Sequence, residues 1–526
     1  MYVCVDDPES YGMVSNRLIV FPLSRVVSYR EEGFGVFLKA TIQLRYSVAI
    51  QISNIECSIP IELGPSESQL LEVFKGLNFK VPGHNMNSLN YFNCLRELLS
   101  DKINSSMNHQ FLSQIQEDHA KHDEFLMGMN KNIRKKFKRV RNFDEKGIAT
   151  ICRTYPKEFL IPSYLLAKDS ELKEICNFRE KQRIPVLCYV YQESEDKFCT
   201  IWRSGQIKNG LFNNVSKADQ TLLEIVGKMS FNEEGNSDKR AYIFDCRPYI
   251  NAIGNKITGK GFIDNKNYHV FKVIFGDIQN IHFMRSKFEC LLNNIEMYDK
   301  NKTALADWYD TLKSILKGAM QVRDLVLKGD SVIVNCSDGW DRTPQIISLS
   351  KILLEPYYRT LEGFRVLLNY EWIGFGHKYK TRQQYDSFNK EESPVFIQFL
   401  DCVHQIIEQF PHQFEFTSKL LVILAKAFIE NMFMEFACDN TEQYLEYRQL
   451  SADEKDQGEL SIWQFIEGDK DRYQNDKYRK DARLIDFDVF DTFSYRLWLD
   501  VYYTHKPHCH DKASDAVLDH SFEVVN

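Results

Sequence analysis

An apolar run, Ser331-Val332-Ile333-Val334, passes directly into Asn335-Cys336-Ser337-Asp338-Gly339-Trp340-Asp341-Arg342-Thr343-Pro344. A segment with Ile346, Leu349 and Leu353 on one helical face follows. A buried strand entering a helix through one tight loop is the arrangement an anion cradle needs. Pro344 suits the first helical position, where its missing N–H costs nothing, and the positive end of that helix faces Cys336.

Cys336 and Arg342 flank five residues whose backbone N–H groups can curl around a phosphate, while the guanidinium closes the ring with two parallel charge-assisted hydrogen bonds. The same field favours a thiolate, the nucleophilic form of cysteine. Attack on phosphorus then gives a phosphocysteine, and the leaving alkoxide needs a proton. Asp341, next to the arginine, is the carboxylic acid expected to give it, with Asp338 as second candidate. The same carboxylate can afterwards deprotonate the water that hydrolyses the intermediate, so the chemistry requires no metal or organic cofactor. A Cys-x5-Arg spacing arises by chance, and a cysteine after a strand is usually inert core. Here two carboxylates, Gly, Arg and Thr stand between an apolar strand and a Pro-started helix, which specifies an anion-binding catalytic loop.

The remaining chain is long enough, at 526 residues, for two or more domains. Its formal net charge of −7 argues against a general nucleic-acid binder, so any anion site must be local. The start, MYVCVDDPES, lacks the basic and apolar regions of a secretory signal, which predicts that the protein is not exported. The most apolar long window, Leu420 to Cys438, contains Lys426, Glu430 and Glu435 and reads as a buried helix, not a membrane span. Thirteen scattered cysteines without a CxxC pair predict reduced thiols and a cytosolic compartment. The His505 to His510 segment could bind a metal but lacks a second ligand pair, so a disordered tail over 506–526 is expected and no metal is assigned.

Strand-like runs at Leu18 to Phe21 and Phe34 to Ile42, followed by a helix candidate at Ser66 to Lys75, predict a small N-terminal β domain. A polar, Asn-rich stretch from Met86 to Lys131 reads as a linker, an insertion or a poorly ordered helix pair, giving a boundary between 1–130 and 131–505. Lys131 to Arg141 holds seven cations in eleven residues, and three readings fit it: contact with anionic lipid, a solvated basic face, or a nuclear address. From Thr150 onward, strand candidates at Ile184 to Val190, Tyr242 to Phe244, Phe271 to Phe275 and Ser331 to Val334 alternate with helical patterns, which implies an α/β sheet domain. Among the latter, Ala304 to Lys328 repeats Trp308, Leu312, Ile315, Ala319, Val322 and Val326 at helical steps before the stop signal Gly329.

The Cys336 to Thr343 loop closely resembles the signature of the myotubularin phosphoinositide 3-phosphatases. Flanking blocks resemble the family as well: Thr154-Tyr155-Pro156, Arg183 to Leu187, Glu371 to His377, Ser393 to Phe399 and Gln409-Phe410-Pro411. Ser15 to Leu18 resembles the start of the family's PH-GRAM domain. The resemblance implies a cysteine-phosphatase fold, a central sheet flanked by helices, preceded by a PH-GRAM-type β domain. It implies removal of the 3-phosphate from phosphatidylinositol 3-phosphate, with the 3,5-bisphosphate as a further substrate. The expected partner is a phosphoinositide headgroup, reached by peripheral contact with endosomal-type membranes from the cytoplasm; no oligomeric state is implied. Catalysis then falls to Cys336, Asp341 and Arg342. Substrate binding falls to Ser337, Asp338, Gly339 and Trp340, to Asn255, Asn280 and Ile281, and to Lys378 and Arg382 for a second phosphate. Read without the family, Asn255 and Asn280 are ordinary turn or cap residues.

Two departures stand out. Asn335 occupies the place where the family usually has His before the nucleophile, and Lys378 replaces an Arg, giving a point charge in place of a bidentate fork. A protein tyrosine phosphatase needs the same loop, usually with a separate mobile Asp loop, and an inactive lipid-binding adaptor is the third reading.

Overall fold

The computed structural model describes residues 110–505 except for 128–130, 145–146, 168, 195, 232–240, 265, 296–301, 384–390, 431–432, 446–460, 481–483 and 488–493. It also describes the backbone of five N-terminal strands: β1 (Tyr2–Val5), β2 (Arg17–Val20), β3 (Val26–Glu32), β4 (Gly35–Gln43) and β5 (Ala49–Cys57). β1 and β2 form an antiparallel pair, and β3, β4 and β5 form an antiparallel three-stranded sheet with register shifts in both pairings. The helix expected at 66–75 and the tail at 506–526 lie outside the described residues.

The site is organised by a five-stranded sheet. Its strands are β8 (Val186–Gln192), β9 (Phe198–Ser204), β10 (Ala241–Asp245), β11 (Phe271–Phe275) and β12 (Ser331–Asn335), in the order β11-β10-β12-β9-β8. β9, β10, β11 and β12 run parallel, and β8 is the antiparallel edge. All five residues of β12 are buried, as a central parallel strand covered on both faces requires. The unpatterned apolar run in the sequence has that cause. Strand β9, Phe-Cys-Thr-Ile-Trp-Arg-Ser, did not stand out in the sequence, because it carries a buried Arg203 among its apolar residues.

Two helices fix β12 and its loop. One spans Lys302–Leu327 and buries Trp308, Leu312, Ile315, Ala319, Val322 and Val326, the expected stripe. The other is Arg342–Leu354, whose every residue is buried. They pack tightly: a Cβ at Gly318 would stand 2.9 Å from Ile346 Cδ1 and 3.1 Å from the Phe244 ring. Gly329 ends the first helix at φ +83, a left-handed conformation that glycine adopts without strain. Of the apolar window Leu420 to Cys438, expected as one buried helix, the first part lies in a helix over Ser418–Glu430 with Leu420, Leu421 and Leu424 buried and a later part in a separate short helix over Met434–Ala437; no helix among the described residues is long and apolar enough to cross a membrane.

A helix over Gln110–Met127 lies on the N-terminal side of the boundary expected at 130/131, within the stretch read as a linker, an insertion or a poorly ordered helix pair. It nevertheless buries Phe111, Ile115 and Leu126 in the same core as the sheet. Its buried polar residues are answered across the fold: Asp118 accepts from Arg365 and Asn369, and Asp123 pairs with Arg139. The basic segment divides into a single turn at Lys131–Arg134 and strand β6 (Phe137–Arg141), which pairs with β7 (Glu158–Pro162). Ile133 and Phe137 anchor it, and most of its cations are exposed.

Candidate active site

Cys336 follows the last residue of β12, at the C-terminal edge of the parallel strands and beside the point where strand order reverses, the position where open α/β sheets bind ligands. Neighbouring strand ends supply the surroundings: Gly205 and Gln206 after β9, Cys246 and Arg247 after β10, and Gly276 after β11. Gln206 N–H donates to the Ser337 carbonyl at 3.0 Å, and Cys246 N–H to the Asn335 carbonyl at 2.8 Å, which ties the loop to both flanking strands. Asn335 donates its amide to the Cys336 carbonyl at 3.2 Å.

Within the loop the Gly339 N–H donates to Cys336 Sγ at 3.2 Å. In the next peptide unit the Gly339 carbonyl accepts from two guanidinium groups, Arg183 at 3.0 Å and Arg203 at 2.9 Å. Arg203 is in turn bound by Glu371, 2.8 Å away, which also takes Lys351 at 2.5 Å. Removing Glu371 would leave the buried Arg203 and Lys351 without their shared carboxylate, so the hold on the loop depends on that residue. Gly339 has φ +83, and a Cβ there would stand 2.6 Å from the Ser204 carbonyl oxygen. Gly339→Ala is therefore expected to lower stability by about 1–3 kcal/mol and turnover at least in proportion, with urea unfolding and phosphate release as the two measurements.

Arg342 reaches back over the loop, donating from Nη1 to the Ile278 carbonyl at 3.1 Å and from Nη2 toward Ser337 Oγ at 3.4 Å; its Nε is buried with no partner among the described residues. The two loop carboxylates differ sharply. Asp341 receives a bidentate fork from Arg382, Nε at 3.0 Å and Nη2 at 2.8 Å. Burial alone would raise its carboxyl, but Arg382, with His377 and Arg342, outweighs that and holds it below the usual carboxylate range. Burial pushes the His377 imidazole down to about 4, so the ring is neutral and its Nδ1–H donates to the Trp340 carbonyl at 2.8 Å. Asp338 has no such cation. Burial, with Asp341 and Glu180 nearby, pushes its carboxyl up against the pull of Lys260 and Lys181, and its buried Oδ1 lacks a hydrogen-bond partner among the described residues. Asp338 is thus the loop carboxyl that keeps a proton more readily, whereas the sequence pointed to Asp341 first.

The other expected binding residues converge on the rim. Asn255 Nδ2 donates to Gln206 Oε1 at 3.3 Å, and Arg247, forked onto Asp245, donates to the same oxygen. Asn280 caps the helix over Ile281–Asn294 by accepting from Phe283 N–H, which uses its oxygen and not its amide hydrogens. The Ile281 carbonyl accepts from Ser393. Lys378 Nζ sits 4.8 Å over the Trp340 ring. Arg382 is committed to Asp341, not open toward the loop. Sequence reasoning quoted the blocks containing Arg183, Glu371 and His377 without giving those residues a role, and missed Arg203, Gln206 and Arg247. Arg183, Arg203 and His377 hold loop carbonyls, and nothing in a single sequence reports which backbone oxygen a side chain will meet.

Residues 96–445 match the family model described as the myotubularin-like phosphatase domain. Among curated proteins, the chain is 33% identical over 386 residues to Myotubularin of Xenopus tropicalis, covering 71% of this chain and 61% of that protein. It is 35% identical over 354 residues to phosphatidylinositol-3,5-bisphosphate 3-phosphatase MTMR6 of Caenorhabditis elegans, covering 65% and 50%. It is 34% identical over 366 residues to phosphatidylinositol-3,5-bisphosphate 3-phosphatase MTMR2 of Bos taurus, covering 68% and 54%. The matched region thus spans 50% to 61% of these relatives' own length.

Proposed function

The chain belongs to the myotubularin-like phosphatase family, and from that premise we propose that it hydrolyses the 3-phosphate of phosphatidylinositol 3-phosphate through a phosphocysteine. The observation that carries the reading is the Gly339 N–H directed at Cys336 Sγ, 3.2 Å away, in a loop closed by Arg342 at the helix start. An amide aimed at sulfur stabilises negative charge there before substrate arrives, and the same cradle of N–H groups receives the phosphate oxygens.

In the first step a bond forms from Cys336 Sγ to phosphorus while the bond to the inositol oxygen breaks, and that oxygen takes the proton of Asp338. In the second, Asp338 accepts a proton from water, the resulting hydroxide attacks phosphorus, and the cysteine thiolate leaves with inorganic phosphate released. Arg342 clamps the equatorial oxygens in both steps. Asp341, the donor expected from the sequence, serves in this reading to hold Arg382. A 3,5-bisphosphate headgroup would meet Lys378 as a second cation and would compete with Asp341 for Arg382, and the relatives named as 3,5-bisphosphate 3-phosphatases support it as a further substrate. The antiparallel strands β3 to β5 support a PH-GRAM-type N-terminal domain, and the substrate implies peripheral residence on cytoplasmic faces of endosomal-type membranes.

Phosphate release measured across a panel of phosphoinositides and phosphotyrosine peptides tests the assignment. Release confined to 3-phosphorylated lipids is expected. Release from phosphotyrosine peptides alone would make the chain a protein phosphatase, and no release from any substrate would make it a binding adaptor.

A further inference from the structure

The register of the central sheet sets a second thiol beside the nucleophile. Strands β10 and β12 pair in parallel from Ala241 with Ser331 to Asp245 with Asn335, and the ladder runs one bond further, since Cys246 N–H donates to the Asn335 carbonyl at 2.8 Å. Cys246 and Cys336 are the next residues of the two chains, and residues level with each other on paired strands direct their side chains to one face. Neighbouring strands lie about 4.8 Å apart, within the roughly 4.4–6.8 Å that separates the Cα atoms of a disulfide. On the other flank, the pairing of Asn335 with Ser204 brings Gly205 level with Cys336, so no side chain stands there. The Cys246 backbone is fixed against the loop: Ile278 N–H donates to its carbonyl at 2.9 Å, and the Ile278 carbonyl in turn accepts from Arg342. Both cysteines are free thiols, Cys336 nearly and Cys246 wholly buried. Burial pushes the Cys246 thiol well above its ordinary value, and negative charge on Cys336 pushes it further against the pull of Arg342, as expected of two sulfurs that face each other. No step of the phosphatase reaction uses the Cys246 thiol.

We propose that Cys246 is a resolving thiol: once a hydroperoxide has oxidised Cys336, the two sulfurs join in a disulfide that withdraws the nucleophile reversibly. In the first step the Cys336 thiolate attacks one oxygen of hydrogen peroxide, the O–O bond breaks, hydroxide leaves and the sulfur becomes a sulfenic acid. In the second the Cys246 sulfur attacks the Cys336 sulfur, an S–S bond forms as the S–O bond breaks, and the Cys246 proton departs with the hydroxyl as water. The pair of cysteines gives up two electrons, and one peroxide is reduced to two waters. A thiol held beside the sulfenic acid captures it before a second peroxide carries it to sulfinic acid, which thiol reductants do not reverse. Burial keeps Cys246 protonated and away from peroxide in the reduced protein, whereas Cys336 lies in the loop that substrate must reach, so Cys336 is the sulfur oxidised first. The inference rests on the phosphatase reading in one respect, that Cys336 is the nucleophile whose loss stops turnover.

The test exposes wild type and Cys246→Ala, each as the full chain, to hydrogen peroxide, removes the peroxide with catalase and divides each sample. One part is alkylated in denaturant and its peptides are mapped by mass spectrometry without reductant. The other is treated with dithiothreitol and assayed for phosphate release from soluble dibutanoyl phosphatidylinositol 3-phosphate, each protein scored against its own untreated rate. Wild type is expected to lose activity, to yield the Cys246 and Cys336 peptides joined, and to regain most of its rate with dithiothreitol. The variant is expected to regain at least about threefold less and to carry sulfinic or sulfonic acid on Cys336. Absence of the joined peptide, a joined peptide pairing Cys336 with a different cysteine, or equal recovery in the two proteins overturns the proposal. The wild-type map needs no variant, and should Cys246→Ala fail to fold, Cys246→Ser supplies the recovery comparison. Should untreated wild type release no phosphate from the lipid, the phosphatase reading fails, while the joined peptide still decides the sulfur pair.

Discussion

Cys336→Ser is expected to abolish phosphate release from phosphatidylinositol 3-phosphate, a loss on the order of 10⁴-fold or more, while leaving lipid binding nearly intact. The serine hydroxyl is not ionised at neutral pH and is a far weaker nucleophile than a thiolate, so the first covalent step has no attacking group. Binding survives because it rests on other atoms. The Gly339 amide, the helix N-terminus beyond Asp341 and the Arg342 guanidinium all remain, and the Gly339 carbonyl stays clamped by Arg183 and Arg203. The serine oxygen is smaller than sulfur and fits the same space, and Cys336, at 2% exposure, already receives an N–H donor that an oxygen can accept. Thermal unfolding should therefore be nearly unchanged, which separates loss of chemistry from loss of fold. Residual turnover near the wild-type rate would remove Cys336 from the mechanism.

The second large effect separates the two loop carboxylates. Asp338→Asn should slow lipid dephosphorylation by roughly 10² to 10⁴, the usual contribution of a positioned proton donor. An aryl phosphate has a good leaving group and should lose much less in its first step. Because burial raises the Asp338 carboxyl, the wild-type rate should decline as pH rises through that raised value and the donor loses its proton; the asparagine variant should lack this decline. Asp341→Asn should keep the alkaline decline and instead weaken the hold on Arg382. Its signature lies in stability. Since Arg382 depresses the Asp341 carboxyl in the fold, the ion pair contributes fully above the unfolded carboxylate pKa of about 3.9 and is lost as pH falls through the lower folded value. Acid unfolding should accordingly be less steep in Asp341→Asn than in wild type. If Asp341→Asn rather than Asp338→Asn removes the alkaline decline, the proton comes from Asp341, as the sequence first suggested.

What could be read from the chain alone follows from the range of the forces involved. β12, its loop and the next helix were legible because their signals are local: an apolar run, a Cys-x5-Arg spacing, a proline at a helix start. The long helix over Lys302–Leu327 was legible because its buried face repeats at the helical period over seven turns of chain. The helix over Gln110–Met127 was not, since Asp118, His122 and Asp123 interrupt its apolar face and meet Arg365, Lys351 and Arg139, residues scattered through the fold. The same reason hid the supports of the site. Arg203 reads as a flaw in a strand until Glu371, 168 positions away, is seen to neutralise it. The identity of the loop carboxylates was plain in the sequence, but their protonation depends on Arg382 meeting one of them and not the other.

Rapid quenching of a single turnover with phosphatidylinositol 3-phosphate radiolabelled in the 3-phosphate, followed by peptide mapping under conditions that preserve thiophosphate esters, addresses the central claim most directly. Label is expected on the peptide carrying Cys336, rising before inorganic phosphate and decaying as phosphate appears, with no label on protein in Cys336→Ser. Phosphate released from the wild-type chain with no protein-bound label at any time, or label carried by a residue other than Cys336, would contradict it.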